Sequence, residues 1–338
     1  MKIPENIHFQ TEDQSYKEEV LAFIENWLDD SDYINVFTSG STGKPKKIKI
    51  SKQAMRVSAA KTINYFSLNK GDTAALVLSI HTIAGKMMIV RSLLAGLELY
   101  VFSPTSKILE NWGLEIDFCA VVPLQLENAI EANTISKIKH VLVGGAPVSF
   151  QLEQKLKGEK LTVYQSFGMT ETLSHIAIRK IGLEEQKAYQ AMKNVTFSTE
   201  NDALIIHAPD LLDAPLYTND IVELISPTAF IWKGRKDFVI NSGGLKLHPE
   251  ELEKKLSLHL DCPFFIASKP DEKWGESVVI VVDSEPKNSL NKAFFASKLS
   301  KFEIPKQIAF TTFVRTSSDK INRIATLNQI QESDWKTL

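Results

Sequence analysis

Residues 38–46 read Thr38, Ser39, Gly40, Ser41, Thr42, Gly43, Lys44, Pro45 and Lys46, a stretch dominated by hydroxyls, glycines and lysines. Small residues let backbone N–H groups close on an anion, and glycine permits the dihedrals that turn several of them inward. Hydroxyls donate to phosphate oxygens, and lysine adds positive charge. The stretch is a candidate polyphosphate cradle. It is not a Walker A loop, which has four residues between its glycines and a Ser or Thr after the lysine. Here Ser41 and Thr42 alone separate Gly40 from Gly43, and Pro45 follows Lys44. On composition alone the same stretch could be a polar surface turn.

Other chemistry-bearing residues are scattered. Arg91 ends the apolar run Met87, Met88, Ile89, Val90. An arginine there can pair a buried anion or snorkel out of a packed helix. Glu171 follows Phe167, Gly168, Met169 and Thr170; Asp220 follows Tyr217, Thr218 and Asn219; Lys320 sits in a charged tail. Taken singly, each is an ordinary loop acid or surface cation.

Taken in order, these segments resemble the adenylate-forming superfamily of acyl-CoA synthetases, luciferases and peptide-synthetase adenylation domains. The 38–46 stretch resembles its phosphate loop. The segment Gln165 to Thr172 resembles the aromatic-Gly-x-Thr-Glu block. The resemblance implies that Phe167 and Gly168 lie along the adenine and acyl sites, that Thr170 holds phosphate and that Glu171 helps bind Mg2+. Asp220 matches the acid that holds the ribose hydroxyls, with Asn219 standing where the family usually has glycine; asparagine tolerates left-handed backbone, so a turn is expected there. The segment from Trp232 to Gly244 resembles the domain junction. It implies a ribose or phosphate contact for Arg235, a hinge at Asp237, and a Gly243–Gly244 turn facing the pantetheine of coenzyme A. The segment Val314 to Arg323 resembles the terminal block, with Lys320 as its catalytic lysine and Asp319 in place of the usual glycine.

The segment His81 to Arg91 is more narrowly similar to the o-succinylbenzoate–CoA ligases of menaquinone biosynthesis, whose arginine six residues after the glycine matches Arg91. This implies that His81, Lys86 and Arg91 line the acid site, with Gly144 and Gly145 giving a flat aromatic acid close access to backbone. The implied substrates are ATP, a carboxylic acid and coenzyme A, with Mg2+ as cofactor. Three other readings stay open: another acyl- or aryl-CoA ligase, an adenylation enzyme that loads a carrier protein, and a non-catalytic nucleotide-binding protein.

The elements that must position these residues follow from the hydrophobic pattern. Val20, Phe23, Ile24 and Trp27 predict a helix over 16–28, and a second is predicted over 52–66. Strands are predicted over 33–37, 46–51, 73–79, 97–102, 120–123 and 140–143, with helices over 85–94 and 148–156 between later ones. That alternation predicts an α/β fold with covered sheets. The expectation is a large adenylate-forming domain over 1–235 with a truncated N-terminal region. A small mobile α+β domain over 236–338 should carry the lysine. In it, Pro249 opens a helix, strands cover 264–268 and 278–282, and a helix covers 291–299. Only thirty-seven residues precede the phosphate loop, which leaves open how the large sheet is completed and whether a homo-oligomer compensates.

A length of 338 residues suits two unequal domains, and 43% hydrophobic residues supply a sizeable core. A formal charge of -2 gives no electrostatic reason to bind nucleic acid. His81, Lys86, Arg91 and Glu98 interrupt the most apolar stretch, so membrane insertion is not expected. Cys119 and Cys262 form no framework, which predicts a reducing, cytoplasmic setting.

Overall fold

The computed structural model describes residues 3–37, 47–110, 112–260, 262–283, 290–315 and 321–338. Among these residues a twelve-stranded sheet and a six-stranded sheet carry the architecture, with a separate two-stranded ribbon.

The chain opens with β1 (Ile7–Phe9) and α1 (Gln14–Leu28), whose first turn is capped by Asp13 accepting from Tyr16 N. The ribbon β2 (Tyr33–Phe37) and β3 (Lys47–Ser51) follows, and Ser51 caps α2 (Lys52–Phe66). Next come β4 (Thr73–Leu76), α3 (Ile83–Ala95), β5 (Glu98–Val101), β6 (Ile116–Val121) and α4 (Pro123–Glu131). They are followed by β7 (Ile138–Val143), α5 (Phe150–Gly158) and β8 (Thr162–Gly168). Strands β1-β5-β4-β6-β7-β8 lie in that order, all parallel. Helices cover such strands on both faces, so β4, β6 and β7 read as nearly continuous apolar runs.

From β8 onward pairing turns antiparallel. The remaining strands are β9 (His175–Gly182), β10 (Tyr189–Ala191), β11 (Thr196–Glu200), β12 (Ala203–His207), β13 (Leu216–Ser226) and β14 (Ala229–Arg235). They extend the sheet in the order β9-β10-β14-β13-β12-β11. The carboxyl ends of β4, β6, β7 and β8 therefore share one edge, the place where open α/β sheets bind ligands.

After Arg235 one 3-10 turn, Lys236–Phe238, leads into the second sheet. Its elements are β15 (Ile240–Ser242), β16 (Leu245–Leu247), α6 (Pro249–Leu256), β17 (Phe264–Asp271), β18 (Gly275–Val282), α7 (Lys292–Ala296), β19 (Gln307–Phe310), α8 (Arg323–Asn328) and β20 (Lys336–Thr337). Ile240, Leu252, Leu256, Ile266, Ile280 and Phe295 form a core cluster of their own.

Several expected elements differ in extent: β17 runs on from the expected 264–268 to Asp271, β18 starts at Gly275 ahead of the expected 278–282, and three others are shorter or shifted. The strand predicted over 73–79 stops at Leu76 because side chains take over its carbonyls: Gln125 Nε2 donates to Val77 O at 2.8 Å and Tyr16 Oη to Leu78 O at 2.9 Å. The strand predicted at 120–123 begins at Ile116 and ends before Pro123, which opens α4. The helix predicted over 291–299 is confined to Lys292–Ala296.

Candidate active site

Two groups of expected site residues lie outside the described residues: Thr38, Ser39, Gly40, Ser41, Thr42, Gly43, Lys44 and Lys46 of the phosphate loop, and Lys320. The others can be placed.

Gly144 and Gly145 leave the end of β7, and Phe167 and Gly168 end β8 beside it. Ser166 Oγ donates to Val143 O at 3.0 Å and ties the two ends together. A Cβ on Gly168 would stand 2.2 Å from Ser174 O, so only glycine lets the turn into β9 fold back this closely. The Phe167 ring meets Phe230 edge-on at 5.0 Å and Tyr189 at 5.7 Å, which fixes the strand end from the core side. In the turn itself Thr170 is half-buried and Glu171 is exposed. Thr172 is fully buried; its Oγ1 accepts from Met169 N (2.9 Å) and donates to Ser174 O (2.7 Å). That hydroxyl holds the turn's shape, a role its place in the motif did not reveal.

Arg91 lies on α3, whose residues Met87 to Val90 are fully buried. Its own exposure is 2%. Nη2 donates to Ser174 Oγ at 2.7 Å, Nη1 approaches Met88 Sδ at 3.8 Å, and Nε has no partner. No carboxylate pairs with it among the described residues. Burial alone pulls its pKa down from 12.5 to about 9. The structure thus brings Arg91 to the turn that follows Gly168. It turns His81 and Lys86 toward α1 instead: His81 Nε2 lies 3.1 Å from Glu19, and the Lys86 ammonium sits 5.2 Å over the Phe23 ring. Burial lowers the Lys86 pKa.

A second cluster stands where the first half of β13 pairs with the end of β14. Asp220 pairs with Arg235 in register. It is 5% exposed; Oδ1 accepts from Trp232 Nε1 at 2.9 Å and Oδ2 lies 3.5 Å from Arg235. Burial raises its pKa, with Trp232 and Arg235 opposing. Trp232 is a partner that the sequence did not single out. Asn219 lies inside β13 and is not among the residues with positive φ, so the left-handed turn expected there is absent. Its side chain instead reaches Asp237 (3.2 Å), which Arg235 also contacts (3.1 Å). Gly243 and Gly244 form the tight link between β15 and β16 with φ of +59° and +81°, as a two-residue hairpin turn of type I′ requires.

The two sheets meet at α6. A Cβ on Gly234 would stand 2.2 Å from Glu250 Oε2, an oxygen that is buried and unpartnered. Burial raises the Glu250 pKa. Lys233 bridges Glu223 (3.0 Å) and Glu251 (3.2 Å), and Gln151 Nε2 donates to Ser257 O. One turn deeper, Glu253 accepts from Ile266 N and from Arg323, each at 2.8 Å. Burial pushes its pKa up from 4.5 to about 7.

The described residues contain no group of three or more His, Cys, Asp or Glu that could hold a metal. A Mg2+ ion here would rest on one carboxylate, Glu171, together with phosphate oxygens and water. That is the donor set this hard cation usually accepts beside a nucleotide.

Comparison with known proteins agrees with this frame. The AMP-binding enzyme family model matches residues 3–206. A crystal structure of an acyl-CoA synthetase (AMP-forming)/AMP-acid ligase II-like protein from Dyadobacter fermentans is 33% identical. It superposes with a TM-score of 0.64 over 98% of this chain and 97% of that one. The 2-succinylbenzoate–CoA ligase of Listeria monocytogenes serotype 4b is 26% identical over 90% of this chain and 72% of its own length. An o-succinylbenzoate CoA synthetase from Bacillus subtilis, bound to its acyl-adenylate intermediate, shares the fold at 20% identity. Its TM-score is 0.77 over 88% of this chain and 69% of that one. The family model spans more than half of the chain, and a relative 33% identical is matched over nearly its whole length: this chain belongs to the AMP-binding enzyme family, on its acyl-CoA synthetase branch.

Proposed function

We propose that this chain is an AMP-forming acid–CoA ligase whose acid carries a second anionic group, with o-succinylbenzoate as the foremost candidate. One observation carries the choice of acid. Arg91 is a buried cation with an unmatched donor and no counter-ion among the described residues, one hydrogen bond from the turn after Gly168. Leaving such a charge unpaired costs several kcal/mol unless a ligand completes it. The similarity to 2-succinylbenzoate–CoA ligases supports the same acid, which has two carboxylates to offer.

In the first step one substrate carboxylate oxygen attacks the α-phosphorus of ATP and pyrophosphate leaves. Two anions meet, so positive charge must be placed at the developing centre. Lys320 would supply it, loop 38–46 would hold the outer phosphates, and Asp220 with Arg235 would face the ribose. Mg2+, when bound, offsets phosphate charge. In the second step the sulfur of coenzyme A attacks the acyl carbon, AMP leaves and the thiol proton passes to solvent. Rotation of residues 236–338 about Asp237 would exchange Lys320 for the Gly243–Gly244 face between steps. The cytoplasm is the proposed setting.

Acid-dependent ATP–pyrophosphate exchange across mono- and dicarboxylic aromatic and aliphatic acids tests the proposal, with coenzyme A and carrier protein compared as acceptors. Exchange that requires a dicarboxylic acid is expected. An absence of exchange with every acid sinks the ligase reading.

A further inference from the structure

The polar groups beyond Arg91 form a chain whose hydrogen positions can be worked out. A guanidinium has donors only, so Ser174 Oγ is the acceptor of the 2.7 Å bond from Arg91 Nη2. The serine hydrogen is then free for His175 Nδ1, 3.1 Å away. A ring nitrogen that accepts carries no hydrogen, so the neutral imidazole bears its proton on Nε2. That nitrogen lies 3.2 Å from Thr62 Oγ1 and donates to it. Thr62 passes its own hydrogen to Ser58 O, 3.4 Å away on the preceding turn of α2. Every donor in the chain points away from Arg91 and ends on a backbone carbonyl.

The other arrangements fit worse. With the proton on Nδ1, Ser174 would accept twice, and its own hydrogen would have no acceptor in this chain. An imidazolium would place a second cation beside Arg91 at a site only 7% exposed. Burial and the Arg91 charge together hold the His175 pKa well below its ordinary value, which agrees with the neutral ring.

We infer that His175 is a positioning residue for recognition of the acid: by accepting from Ser174 it commits the serine oxygen to Arg91 and locks the guanidinium with neutral partners only. The Arg91 charge is thereby oriented but left uncompensated, reserved for an anionic group of the substrate. The role in acid recognition rests on the ligase reading above; the order of the hydrogen bonds does not.

The test has two arms on the full chain. Long-range proton–nitrogen correlation spectra of nitrogen-15-histidine protein at pH 7.5 read the tautomer, with His175 assigned from the His175→Gln variant. A neutral ring protonated on Nε2 is expected; protonation on Nδ1 or on both nitrogens overturns the inference. In exchange assays, His175→Leu is expected to raise the KM for the dicarboxylic acid about 10-fold or more, the worth of one hydrogen bond, with kcat little changed. His175→Gln presents an acceptor oxygen and a donor nitrogen at similar spacing and is expected to recover most of that loss. An unchanged KM in His175→Leu overturns the positioning role. If that variant does not fold, Thr62→Val, which strands the Nε2 hydrogen, is read in its place with the same expectation and the same overturning result. Wild-type protein that shows the expected tautomer but no exchange with any acid rejects the ligase reading, and the acid-recognition role with it, while the hydrogen-bond order stands.

Discussion

Asn219 Nδ2 donates to Asp237 Oδ1 across 3.2 Å, joining β13 of the large sheet to the single turn that leads into the small one. Arg235, on β14, reaches the other carboxylate oxygen at 3.1 Å. Asp237 is thus held from two neighbouring strands, and one holder is the residue that departs from the family's usual glycine.

Replacing Asn219 with Ala removes one of these two donors. Both groups are exposed, so the loss of global stability should be about 1 kcal/mol or less by chemical denaturation. The larger effect is expected on the balance between half-reactions. Coenzyme A-dependent AMP release should change relative to ATP–pyrophosphate exchange, because the latch acts on the proposed pivot. Parallel changes in both would remove Asn219 from the hinge.

Lys320→Ala should suppress formation of the acyl-adenylate by about 100-fold or more, the scale of losing a charge aimed at the transition state. Thioester formation from supplied acyl-adenylate should be largely spared. Single-turnover assays of each step decide this, and equal losses would remove Lys320 from its proposed role.

Arg91→Met is expected to separate stability from function. An uncompensated buried cation gives way to an apolar chain of similar length, so stability should rise by about 1–4 kcal/mol. The same change should cost the preference for dicarboxylic over monocarboxylic acids. Thermal unfolding and the exchange assay are read on one preparation. A destabilised variant with unchanged acid preference would show that Arg91 is only a packing residue.

Glu253 gives a dependence on pH whose sign can be worked out. Its pKa is 4.5 as an ordinary carboxyl and about 7 in the fold, where burial outweighs attraction to Arg323. Between those values the native state binds the extra proton. Stability contributed by this group therefore falls as pH rises from about 4.5 to 7 and does not recover above that range. Urea denaturation at pH 5 and pH 8 should show the drop, and Glu253→Gln should flatten it. An unchanged slope in the variant would assign the effect elsewhere.

The sequence made parts of this plain and hid others for physical reasons. Helices α1 and α2 were legible because Val20, Phe23, Ile24 and Trp27, or Met55, Ala59, Thr62 and Phe66, recur at helical spacing and become buried. Of the parallel strands, β4, β5, β6 and β7 were legible as short apolar runs, whereas β1, three residues long, and β8, whose apolar residues are mixed with Gln165 and Ser166, were not. The antiparallel half was not: β13 carries Asn219, Asp220 and Glu223 among its apolar residues, a mixed pattern that reads as loop, so Asp220 passed for a loop acid. At the acid site Arg91 stood out because a charge breaks an apolar run. Ser174 and His175 did not, since their meaning comes from a partner 83 positions away and from Thr62, farther still. The Asn219 side chain misled for a related reason: propensity pointed to a turn, while its contact with Asp237 lies 18 positions downstream.

Gly234 offers a vantage on how the two halves of the molecule seat against each other. With φ at +143° and a carboxylate oxygen 2.2 Å from where a methyl would project, it works as a clearance through which α6 settles onto β14. A single added carbon there would act as a shim, pressing α6 off the strand and straining the backbone one residue before Arg235, in the register pair next to Asp220. The fit of the two sheets and the Asp220–Arg235 pairing proposed to face the ribose therefore share one point of clearance, so that a change at this position reaches both.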